Sequence, residues 1–122
     1  MDYDKKMDAP VTVIESDEFL AATRKLLNEA ERERLVDFLA GNPEAGDLIS
    51  GTGGVRKLRW ALEGRGKRGG GRVIYFFHSE KLPLYIFSMY AKNVQSDLSD
   101  AAKNGLKLIT KSIVESYGKT KR

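Results

Sequence analysis

Three short runs rich in β-branched and aromatic residues dominate the second half of this chain: Val55 to Leu62, Arg72 to His78, and Leu84 to Ala91. Such side chains suit the pleated, half-buried surface of a strand. Between the first two lies "EGRGKRGGG", whose glycine density is incompatible with regular structure. Between the second and third is a turn containing Pro83. Strand, glycine-rich turn, strand, proline turn, strand: the pattern predicts an antiparallel meander. Everything else in the chain must pack around that sheet.

Upstream, Val11, Val13 and Ile14 suggest a short first strand. Ser16 can cap a helix, with Asp17 and Glu18 in its first turn, where acidic groups meet the positive helix end. Phe19, Thr23, Leu26, Leu27 and Ala30 then share a helical face. A second helical stretch carries Leu35, Phe38 and Leu39 and stops at Gly41-Asn42-Pro43. The short break between the two helices predicts a helical hairpin. Residues 47–54, "DLISGTGG", read as a loop. Downstream, Ser99 can cap a last helix in which Ala102, Leu106, Ile109 and Ile113 share a face. Gly105 within it costs about 1 kcal/mol relative to alanine, so this helix leans on packing. The expected order is β-α-α-β-β-β-α. That is an α+β fold in which the hairpin covers one sheet face and leaves the other partly open. It forms a single domain over residues 1–122, with loose ends at 1–10 and 118–122.

With 122 residues the chain can bury one modest core. No apolar run approaches the ~18 residues of a membrane span, so no membrane association is expected. The charged start, Met1 to Met7, has no apolar stretch behind it and does not read as a secretory signal. There are no cysteines and the one histidine is His78. Thiolate sites and multi-histidine metal sites are thereby excluded, and neither metal nor cofactor is expected. A reducing cytoplasm suits such a chain.

Net charge is +4, but its placement is more informative. From Thr52 to Arg72 the bases Arg56, Lys57, Arg59, Arg65, Lys67, Arg68 and Arg72 face the single acid Glu63. That segment is +6, so the remainder of the chain is −2. Concentrated positive charge on an otherwise slightly acidic protein points to a polyanion, and to nucleic acid before a merely solvated basic loop.

Two familiar motifs fail on context. Gly64, Gly66 and Gly69 spell G-x-G-x-x-G, but a strand follows where a dinucleotide fold needs a helix N-terminus. Arg68 to Tyr75, "RGGGRVIY", half-matches the RNA-recognition-motif signature. Its first two stacking positions are Gly70 and Arg72, however, and the element order is wrong.

Two longer stretches are more telling. "GTGGVRKLRWALEGRGKRGGGRVIYFF", Gly51 to Phe77, and "YAKNVQSDLS", Tyr90 to Ser99, resemble the HigB-like branch of the RelE/ParE toxin superfamily. In that branch G-T-G-G-[hydrophobic]-R-K-[hydrophobic]-R leads through G-x-G-K-R-G-G to R-[hydrophobic]₂-Y. A later Y-x-K-N-x-x-x-D-L segment opens the final helix. With the element order, the resemblance covers nearly the whole chain beyond the first ten residues. It implies a RelE-like fold and a type II toxin–antitoxin toxin acting as a metal-independent, ribosome-dependent mRNA endonuclease that inhibits translation in the cytoplasm. The implied partners are the ribosome, mRNA and a cognate antitoxin able to bind DNA. A same-fold toxin acting on DNA gyrase, or an RNA-binding relative without activity, is the alternative, because fold alone does not separate them.

Metal-free RNA cleavage needs a proton removed from the 2′-OH, a proton delivered to the 5′ oxygen, and positive charge on the crowded phosphate. On a strand, Lys57 and Arg59 share a face. Arg72 points away from the core if Val73, Tyr75 and Phe77 alternate against it. Carried over by motif, Lys57, Arg59 and Arg72 match the cations that RelE-like toxins place around the scissile phosphate, with Arg72 as transition-state stabiliser. Lys92 matches a further basic position. The functional tyrosine of the prototype falls near Ser99 here, which leaves Tyr90 as the stand-in. Arg56, Arg65, Lys67, Arg68 and Asn93 are the candidate RNA-backbone contacts, since phosphate contacts position without specifying sequence. Trp60, Tyr75, Phe76 and Tyr85 are expected mainly in the core, with base stacking the competing role.

Overall fold

A computed structural model describes residues 9–62, 70–92 and 98–120. In chain order the elements are β1 (Val13–Glu15), α1 (Asp17–Leu26), α2 (Glu29–Gly41), β2 (Asp47–Leu48), β3 (Val55–Trp60), β4 (Gly71–Phe76), β5 (Leu84–Ala91) and α3 (Asp100–Thr120). The strands form one sheet in the order β1-β5-β4-β3-β2. β2 to β5 pair antiparallel, as the meander requires, and β1 joins the far edge parallel to β5. The mixed α+β architecture agrees with the sequence reading. One strand was not foreseen: β2, two exposed residues within the stretch read as a loop.

The helical hairpin forms where the capping chemistry places it. Ser16 Oγ accepts from the Phe19 backbone N–H and caps α1. Asn28 and Glu31 form a reciprocal capping box at the start of α2, each side chain accepting from the other's backbone N–H. Asn42 follows Gly41 at the C-terminal end, its side chain donating to the Phe38 carbonyl. Arg32 of α2 pairs with Glu15 of β1 and with Glu29, tying the hairpin to the sheet edge.

The hairpin buries Phe19, Leu35 and Leu39 completely against Val73, Tyr75, Ile86, Met89 and Ala91. Each such apolar side chain contributes about 1.5–3 kcal/mol relative to exposure. Successive residues on a strand point to opposite faces, so Val55, Ile74 and Phe76 turn the other way. They form a second, smaller core with Leu106, Ile113 and Val114 of α3 packed against it. β4 therefore lies between two cores, and all six of its residues are buried. The face that α3 buries is rotated from the sequence expectation: Ile109 is 47% exposed, whereas Thr110 is buried. α3 also continues to Thr120, through part of the stretch read as a loose tail.

Candidate functional site

Strand register brings three of the expected side chains into one row. Arg59 of β3 is paired with Arg72 of β4, and Arg72 with Tyr90 of β5. Directly paired residues on one face have Cβ atoms about 4.5–5.5 Å apart. Because Val73 and Tyr75 face the hairpin, the row lies on the opposite face, the one α3 occupies. Lys57, two residues before Arg59, shares that face and is paired with Ile74. Lys92 follows β5 at the same end of the sheet, where its backbone N–H donates to the Gly70 carbonyl.

Asp47 of β2 is paired with Lys57, placing a carboxylate at one edge of this face, beyond β3, β4 and β5. None of the three strands carries an aspartate or glutamate. Like charges directly opposite each other destabilise an antiparallel pair, so an Arg59–Arg72 pair favours an anion between or above them. Arg72 is only 7% exposed, and its Nη1 donates to the Gly71 carbonyl. A charge held so far from water gains more from an anionic ligand than a solvated one. Beside it, the Tyr90 hydroxyl is buried without a hydrogen-bond partner among the described residues. A buried hydroxyl usually has a partner, and the described residues do not supply one to Tyr90.

Arg56 does not join this set. It points to the hairpin side, where its Nη1 donates to the carbonyls of Glu44 and Gly46. These bonds tie Arg56 to the α2–β2 connection, away from the Arg59–Arg72–Tyr90 row. Tyr75 is likewise internal. Its hydroxyl donates to the Pro43 carbonyl at 2.9 Å and accepts from the Gly46 N–H at 2.8 Å, and burial raises its pKa. Phe76 is core, and Trp60 is half-buried against Phe38, with ring centroids 5.5 Å apart. Tyr85 meets Tyr117 of α3, and burial followed by that hydroxyl contact pushes its pKa up to about 12. His78 is exposed. Arg65, Lys67, Arg68 and Asn93 lie outside the described residues. Among the described residues no group of three His, Cys, Asp or Glu side chains is placed to hold a metal ion, and no helix is long and apolar enough to cross a membrane.

The "GTGG" motif, residues 51–54, has a structural task. Thr52 is fully buried, its Oγ1 donating to the Ile49 carbonyl and accepting from the Val55 N–H. Its own carbonyl accepts from Thr110 of α3. The loop is thus part of the seat of α3, which a contact across 58 positions hid from the sequence.

A mixed, mostly antiparallel sheet backed by a helical hairpin, with a cationic row on its other face, has a counterpart among known proteins. Residues 24–120 match the family described as the RelE toxin of the RelE/RelB toxin–antitoxin system, and the chain belongs to that family. Membership implies a cognate antitoxin. Among solved structures, the chain is similar to a double arginine-to-alanine mutant of the E. coli toxin RelE in its free state. The two share 21% identity and a TM-score of 0.50 over 70% of this chain and 87% of that one, which supports the common fold.

Proposed function

We propose that this toxin is an endoribonuclease of the HigB-like branch that cuts messenger RNA on the ribosome and so stops translation. The observation that carries the reading is the Arg59–Arg72–Tyr90 row with Lys57 beside it, on three strands that carry no aspartate or glutamate. The 2′-oxygen of one nucleotide attacks its own 3′ phosphate. The bond to the 5′ oxygen of the next nucleotide breaks, leaving a 2′,3′-cyclic phosphate and a 5′-hydroxyl. Arg72 and Arg59 neutralise the charge that builds on the phosphate. Lys57, Lys92 and Tyr90 are the groups available to take the 2′-hydroxyl proton and to supply one to the departing 5′ oxygen. The reaction depends on exact placement of the substrate, which the ribosome supplies. The site of action is then the cytoplasm, and the antitoxin, able to bind DNA, restrains the toxin there.

The test is a reconstituted ribosome carrying a defined messenger. Wild-type protein is expected to cut the messenger within the codon exposed to the incoming tRNA. A messenger with a single 2′-deoxy nucleotide at the cut position should resist. Cleavage of the 2′-deoxy messenger would rule out attack by the 2′-oxygen, and absence of any cut would rule out the nuclease. In that event DNA gyrase is the next target to assay.

A further inference from the structure

The contact between the loop after β2 and α3 joins three unusual features. Thr110 is 2% exposed, deep for a hydroxyl side chain, and its Oγ1 lies 3.1 Å from the Thr52 carbonyl and 3.0 Å from the Lys107 carbonyl. Gly53, with φ of +79°, leaves the space that Thr110 enters; a Cβ there would stand 2.4 Å from Thr110 Oγ1. Thr52 itself is locked by the Ile49 carbonyl and the Val55 N–H. Buried hydroxyls satisfied in this way fix a position sharply, because displacement leaves polar groups unpaired. The outer face of α3 meets solvent. Leu108 is 70% and Ile109 47% exposed, and Gly105 touches nothing that a side chain there would reach.

We propose that the Gly51–Gly54 loop is a socket in which Thr110 acts as a positioning residue, seating α3 so that the Tyr90 ring is held beside Arg72. The link runs through the smaller core. Leu106 of α3, one turn before Thr110, and Tyr90 both pack against Val55, Ile74 and Phe76. Moving α3 out of its seat removes one side of the packing that orients the Tyr90 ring. Thr110 touches neither the row nor the substrate; it acts through α3. The consequence for cleavage rests on the nuclease reading above, whereas the consequence for Tyr90 does not.

The variants are Thr110→Val, which keeps the shape and deletes the hydroxyl, and Thr110→Ser, which keeps the hydroxyl. Gly53→Ala attacks the same contact from the loop side and serves if Thr110→Val fails to fold. Three readouts are taken: amide exchange along residues 100–117 against β3 to β5, the Tyr90 ring resonances, and single-turnover messenger cleavage alongside ribosome affinity. Thr110→Val is expected to speed exchange in α3 at least tenfold with the strands unchanged. It should shift the Tyr90 resonances and slow cleavage at least tenfold at unaltered ribosome affinity, with Thr110→Ser close to wild type in each. A lower melting temperature with Tyr90 resonances unmoved would overturn the proposal, since Thr110 would then be merely structural. So would a failure of Thr110→Ser to restore them. If the wild-type protein cuts nothing, the nuclease reading fails, and exchange and ring resonances still decide the socket.

Discussion

Replacing Tyr75 with phenylalanine removes one oxygen atom and breaks two hydrogen bonds at once. The hydroxyl is fully buried, donates to the Pro43 carbonyl at 2.9 Å, and accepts from the Gly46 N–H at 2.8 Å. Gly46 is buried as well, so the N–H left behind has poor access to water. Each buried group stranded without a partner costs about 1–3 kcal/mol. Two such groups give a loss of roughly 2–4 kcal/mol, allowing for partial relaxation of the loop. For a chain of this size that lowers Tm by roughly 10 °C. The assay is reversible urea and thermal unfolding followed by circular dichroism. Gly46→Ala supplies an independent check, because its Cβ would sit 2.9 Å from Tyr75 Cε1 and 3.0 Å from the Lys57 carbonyl. Losses below about 0.5 kcal/mol for Tyr75→Phe would instead mean that water or loop movement replaces both bonds at little cost.

Asn28→Ala should lower stability by about 1 kcal/mol through loss of the α2 cap, measured by urea unfolding. The pKa values of Tyr75 and Tyr85 are both raised from 10.0, the latter to about 12. Their contribution is therefore complete below pH 10 and lost as pH rises through the folded values, so alkaline titration should destabilise the wild type; Tyr85→Phe should flatten that decline. Arg56→Ala should reduce stability by about 1–2 kcal/mol, because the Glu44 and Gly46 carbonyls lose a charged donor. Arg59→Ala should leave Tm within about 2 °C, since Arg59 is exposed, yet cut messenger cleavage at least a hundredfold if it stabilises the phosphate as Arg72 does.

Much of the fold is legible in the sequence because its devices are local. The glycine-rich and proline turns announce the meander, and Ser16 announces α1. The period of two along β3 already separates Lys57 and Arg59 from Arg56. Applied strictly, it assigns Arg56 to the hairpin side, where the structure has it. The basic cluster was legible for the same reason, as was the face Arg72 takes, opposite Val73 and Tyr75, whereas its burial between the two cores was not. The Asn28–Glu31 capping box is also readable as N-x-x-E before an apolar helical face. What escaped notice is non-local. β2 is two residues held by pairing with Arg56 and Lys57, with no pattern of its own. The rotation of α3 and the purpose of "GTGG" depend on Thr110 meeting Thr52, which no local rule foresees.

Whether the cationic row cuts translated messenger RNA is decided in cells. The most direct measurement maps the 5′ ends of cellular mRNA in bacteria after inducing the wild type, Arg59→Ala and Arg72→Ala, with expression and folding of each verified. New 5′-hydroxyl ends are expected within reading frames, in step with codons, in cells carrying the wild type and in neither variant. Growth arrest without such ends, or equal cutting by the folded Arg72→Ala protein, would contradict cleavage by this row.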